Sequence, residues 1–204
     1  TLATGTNATM TAAQHTAFSG TVTAAGTNTI TISGDGAVTT KAPVENYVIG
    51  DDTTNARTVT VSALTTSATA SSGTDAITFV FGTGAFSGTY VGAGTNDIAS
   101  AVHNTSFTGA TLTNITNLTI TGGGAVSLTV PQNNAFTGTI VAGGTETISI
   151  SGTGAVTTLA NIEFYSIADD SSNSKTITVS AATTNVTANS SGDAITFAIS
   201  GLTY

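Results

Sequence analysis

AFTGTIVAGGTETISISGTGAVTT, residues 135–158, recurs almost letter for letter at residues 17–40 as AFSGTVTAAGTNTITISGDGAVTT. Inside both copies isoleucine or valine alternates with threonine or serine, as in Thr29–Ser33, TITIS. Period-two alternation places one set of side chains on each face of a strand. Glycine brackets each run, and glycine-rich punctuation marks turns. The stretch therefore reads as short strands with tight corners, Val22, Ile30, Ile32 and Val38 facing inward and Thr21, Thr29, Thr31 and Thr39 outward.

The match extends without gaps at an offset of 118 residues, pairing Phe18 with Phe136, Glu45 with Glu163, Tyr47 with Tyr165 and Arg57 with Lys175. Residues 17–80 and 135–198 are thus an internal duplication. A second ungapped match, at offset 89, aligns residues 5–20 with 94–109. Thr-x-Thr or Thr-x-Ser strands begin at Thr29, Thr58, Thr119, Thr147 and Thr176, and aromatic strands keep a similar beat from Phe18 to Phe197. These spacings predict about seven coils of ~29 residues, each of three short strands, with Pro43 and Pro131 at coil corners. The expected architecture is all-β, a single parallel β-solenoid over residues 1–204. Residues 1–16 are a cap or partial coil, with a short helix placed at residues 10–15. Tandem Ig-like sandwiches are the alternative, since short strands at regular spacing suit them too.

Composition narrows the function. Only 7% of the 204 residues are charged, three of them cationic, and the net charge is −8. Three cations cannot hold a phosphate backbone, which excludes nucleic acid as a partner, and an anionic membrane surface is disfavoured for the same reason. No apolar run approaches the roughly 18 residues of a spanning helix, so membrane insertion is not expected. Cysteine is absent, which removes disulfides and thiolate chemistry together. The sequence begins at Thr1 without an initiating methionine, as a processed chain or a segment of a longer one would.

TITISGDGAVTT (29–40), TISISGTGAVTT (147–158) and the [VI]E-x-Y-x-I-x-DD pattern at 44–52 and 162–170 resemble the Thr/Gly-rich, lysine-poor β-solenoid regions of bacterial S-layer proteins and large surface adhesins. That resemblance implies an extracellular or cell-surface structural protein with no reaction to catalyse. Terminal rungs of a solenoid need polar caps, and the last coil, AITFAIS (194–200), carries none. Either the next coil belongs to another copy of the chain, stacked head to tail into a filament or surface layer, or the chain is a segment of a larger repeat protein; a loop or residues 1–16 folding over an end is the plainer alternative, and other copies are the expected partners.

Candidate sites are few. Asp51, Asp52 and Asn55, and their duplicates Asp169, Asp170 and Asn173, offer clustered carboxylate and amide oxygens of the kind calcium selects; Asx turns bonding local backbone are the alternative reading. Glu45 and Glu163 could supply a further ligand, but a solvated face is the preferred reading. Equivalent, wet Asp pairs lack the asymmetry that a glycosidase requires. His15 and His103 have no third ligand or orienting acid nearby in sequence, and no nucleophile motif is present, so an enzyme is not expected. The Thr pairs at 29/31, 58/60, 119/121, 147/149 (Thr/Ser) and 176/178 read as one outward double column. On that face an adhesin for cell-surface glycans or an ice-binding module is the second functional reading. Sequons occur at Asn7, Asn104, Asn114, Asn117, Asn185 and Asn189, the frequency expected from so much threonine and serine.

Overall fold

The structure, a computed structural model, describes residues 1–50, 56–71, 76–168, 175–181, 184–189 and 194–199. Each run of alternating Val/Ile and Thr/Ser is a strand of two to six residues, and every described pairing is parallel. Parallel strands need a crossover between partners, and here the rest of the coil supplies it. The result is a parallel β-solenoid of about eight turns. Tandem sandwiches, which are antiparallel, are excluded.

Four sheets line the coil. The first stacks Asn7–Thr11, Thr29–Ser33, Asn46–Ile49, Ser67–Ala70, Thr89–Val91 and Thr111–Thr113. The second stacks Val38–Thr39, Arg57–Val61, Ile77–Phe81, Ile98–Val102, Asn117–Thr121 and Ile140–Ala142. In the third are Gly84–Ala85, Thr105–Ser106, Gly124–Thr129, Glu146–Ser151, Phe164–Ile167 and Asn185–Ala188. The fourth holds Val156–Thr157, Lys175–Val179 and Ile195–Ile199.

The coil is shorter than the sequence spacing suggests. Thr29 opposes Asn46 and Thr89 opposes Thr111, so a turn takes 17 to 22 residues across the sheets, not ~29. The beat of 29 is real but measures something else. Thr29 lies in the first sheet and Thr58 in the second, one coil on. A spacing of 29 is therefore one coil plus one face, which also accounts for the expectation of seven coils.

Two helices interrupt the strands. α1 (Ala12–Ala17) and α2 (Val130–Ala135) occupy equivalent places in the duplication. Each begins with a capping box: Thr11 Oγ1 accepts the Gln14 N–H while Gln14 Oε1 accepts the Thr11 N–H, and Thr129 and Gln132 do the same. This reciprocal pairing satisfies two free amide donors at the helix start. Pro131 sits in the first turn of α2 rather than at a bare corner; its missing N–H costs nothing there. Each helix underlies the first strand of a new sheet, α1 beneath Val38–Thr39 and α2 beneath Val156–Thr157. Residues 18–23, expected as a strand, run irregularly after α1, with a single bridge at Ala24 to Leu2.

In two stretches of the core, large and small residues alternate from coil to coil. Tyr47, Ala68 and Tyr90 stack in register, as do Phe79, Ala99 and Leu118. All six are fully or almost fully buried. A ring beside an alanine fills the ~4.8 Å step without clashing with a ring in the next coil. Phe81 sits edge-on to Phe86, Tyr90 and Phe107, with centroids 5.1, 4.7 and 4.8 Å away. Gly88 permits the closest coil-to-coil approach, since a Cβ there would lie 2.2 Å from the Thr66 carbonyl oxygen.

Candidate assembly surface

The polar groups inside the stack are devices for closing corners. Asn28, Asp97 and Glu146 each follow a Gly-Thr turn, and each is fully buried. Asn28 donates to the Ala25 and Gly26 carbonyls, Asp97 accepts the Gly94 N–H, and Glu146 accepts the Gly143 N–H. Each corner also ties to a neighbouring coil: Glu45 accepts the Asn28 N–H at 2.9 Å, Glu163 accepts the Glu146 N–H at 3.1 Å, and Asp97 accepts the Ile77 N–H at 2.7 Å. Glu45 is exposed and Glu163 half-buried, so the solvent-facing position read from sequence holds, and from it both act as staples between coils. Burial raises the Glu146 carboxyl above its ordinary value, and the facing Glu163 side chain adds to the rise. Glu163 is lowered, chiefly by the Glu146 N–H. Glu146 Oε2 is sealed without a hydrogen-bond partner.

The two histidines lie apart in role. His15, buried on α1, meets the Tyr47 hydroxyl at 3.1 Å; Tyr47 in turn accepts the Lys41 N–H. In the duplicate, Asn133 stands for His15 and accepts from the Tyr165 hydroxyl at 3.2 Å. Burial, then the Lys41 charge, lowers the His15 pKa, and burial pushes Tyr47 up to about 12. His103 is exposed, with its Cβ beside Gly124. Among the described residues no three His, Cys, Asp or Glu side chains converge on a metal position. Asp51, Asp52, Asn55, Asp169, Asp170 and Asn173, the calcium candidates, lie outside the described residues. Arg57 and Lys175 are buried and reach equivalent carbonyls, Gly34 and Gly152.

The threonine pairs do not form one column. Thr29/Thr31 belong to the first sheet, Thr58/Thr60 and Thr119/Thr121 to the second, Thr147/Ser149 to the third and Thr176/Thr178 to the fourth. The regular outward file is a different one. On the first sheet Thr9, Thr31, Val48, Thr69, Val91 and Thr113 stand in register. Sequence spacing alone could not find it, because its members step by 17 to 22 residues. Asn117, counted as a sequon, is occupied inside the stack: it donates to the Asp97 carbonyl and accepts the Thr139 N–H.

The ends of the stack differ from its flanks. Ile177 is fully buried, yet Phe197, one coil further in the same column, is 50% exposed, and Ile199 is 57% exposed. At the other end Asn7–Thr11 pairs on one side only among the described residues, with Thr29–Ser33. Beside it a cavity of about 240 Å³ opens between Leu2, Met10, Phe18 and Val22. Comparison with protein-family models, with curated proteins and with solved structures gave no match.

Proposed function

We propose that the chain is a non-enzymatic structural protein of the cell exterior, a β-solenoid whose copies stack head to tail into a filament or surface layer of the S-layer kind. The observation that carries this reading is the open core at Phe197 and Ile199, in line with the fully buried Ile177. An apolar column cut open at a strand edge offers both hydrophobic area and unpaired backbone groups to another coil. A heterologous contact of this sort does not close on itself and propagates as a fibre. Electron microscopy of the concentrated protein tests the reading: rods that lengthen with concentration are expected, and particles of single-chain size at every concentration would refute it.

The second reading, an adhesin or ice-binding module, is favoured by the Thr/Val file of the first sheet, six strands deep and uncharged. Thr69→Tyr in its centre, assayed for ice recrystallisation and glycan retention against the parent, decides it; parent protein inactive in both assays removes it.

A further inference from the structure

The internal duplication contains its own record of what covers the N-terminal face. Residues 10–22 recur as residues 128–140, and the second copy lies beneath a preceding coil. Phe136 is 4% exposed there, whereas Phe18 is 54% exposed. Gln132 Nε2 donates to the Phe107 and Ala110 carbonyls at 2.6 and 2.8 Å. Gln14 holds the same capping geometry, yet its Nε2 donates to no carbonyl among the described residues. Gly138 gives its N–H to the Thr116 carbonyl, and a Cβ on it would lie 2.3 Å from Asn117 Oδ1; a Cβ on Gly20 would meet nothing within 4 Å. The apolar lining repeats as well: Ile120, Leu128 and Ile140 are buried where Leu2, Met10 and Val22 edge the open cavity.

We propose that residues 10–22 form a coil-docking face and that its occupant is the terminal coil of a second copy of this chain, the one bearing Phe197 and Ile199. The proposal rests on the head-to-tail reading above and assigns the atoms at its joint. Two carbonyls of the incoming coil take the Gln14 Nε2 protons, as Phe107 and Ala110 take those of Gln132. Phe18 seats against the incoming apolar column, and Gly20 leaves room for its backbone. Parallel strand addition supplies the remaining hydrogen bonds.

Sedimentation velocity of residues 1–204, from micromolar to millimolar, tests this with Gly20→Val and Gln14→Glu. Gly20 is exposed, and Gln14→Glu keeps an oxygen to accept the Thr11 N–H while removing the Nε2 donor, so both variants keep the parent melting temperature. The expected result is concentration-dependent growth of the parent and at least a tenfold weaker association of each variant. Gly138→Val and Gln132→Glu, at the covered equivalents, instead lower the melting temperature. A parent that associates while both N-terminal variants associate equally tightly overturns the assigned face and leaves the head-to-tail reading standing. A parent that stays monomeric throughout overturns both.

Discussion

Glu146 and Glu163 oppose each other across one step of the third sheet, the Glu163 carboxylate accepting the Glu146 backbone N–H at 3.1 Å. In the first copy the same two places hold Asn28 and Glu45, joined by the same bond at 2.9 Å. The second copy therefore has a carboxyl where the first has a neutral amide.

The pH dependence follows from that difference. Burial and the facing Glu163 raise the Glu146 pKa above 4.5, so the folded state holds this proton more tightly than the unfolded chain does. Its contribution is complete below the unfolded value and is lost as pH rises through the folded one. Glu163 is lowered and works in the opposite sense, losing its contribution as pH falls. Glu146→Gln keeps the neutral hydrogen-bonding form at every pH. Thermal melts should show the variant more stable than the parent above pH 5, with the advantage vanishing toward pH 4; an equal melting temperature at pH 8 would contradict the assignment.

His15 gives the reverse slope. Its pKa is lowered from 6.5 by burial and by Lys41, so the neutral ring belongs to the folded state. Stability falls as pH drops below 6.5, because the unfolded chain takes the proton first. His15→Asn reproduces the Asn133–Tyr165 pair of the second copy. Melting temperatures between pH 8 and 5 should decline less in this variant than in the parent.

Ala68 stands in register between Tyr47 and Tyr90 and is fully buried. Ala68→Leu forces a branched side chain against two rings and should cost about 1–3 kcal/mol in chemical denaturation. Thr69→Ser, next along the strand and pointing outward, should leave stability within about 0.5 kcal/mol. Equal effects at the two positions would contradict the register.

The acidic turns at Asp51-Asp52 and Asp169-Asp170 remain a chemical question posed by the sequence. Calcium held there would make EGTA lower the melting temperature and added calcium restore it. An unchanged melt in both arms removes the ion.

The solenoid was legible because alternation and duplication are both written in the residues, and Thr29–Ser33 and Thr147 to Ser151 carry them openly. The coil length was not. Thr29 and Thr58 resemble each other more closely than Thr29 resembles Asn46, its actual neighbour, because outward positions need only suit a strand surface, as threonine does on every sheet, while inward ones must complement the coil beside them. Tyr47 over Ala68 is such a complement, and it hides the repeat. The helices carried a local signal in the Thr-x-x-Gln pairs at Thr11 and Thr129. Nothing local distinguished buried Glu146 from an exposed glutamate. Its burial depends on Glu163, 17 residues away, and on a register visible only in three dimensions.

Fibre diffraction from aligned assemblies tests the central claim most directly. Copies joined coil to coil keep the inter-strand hydrogen bonds parallel to the filament, which places a reflection near 4.8 Å on the meridian. The variants Gly20→Val and Gln14→Glu should yield no alignable filaments under the same conditions. A 4.8 Å reflection on the equator would mean that copies join through their flanks, and the account of the open ends would be wrong.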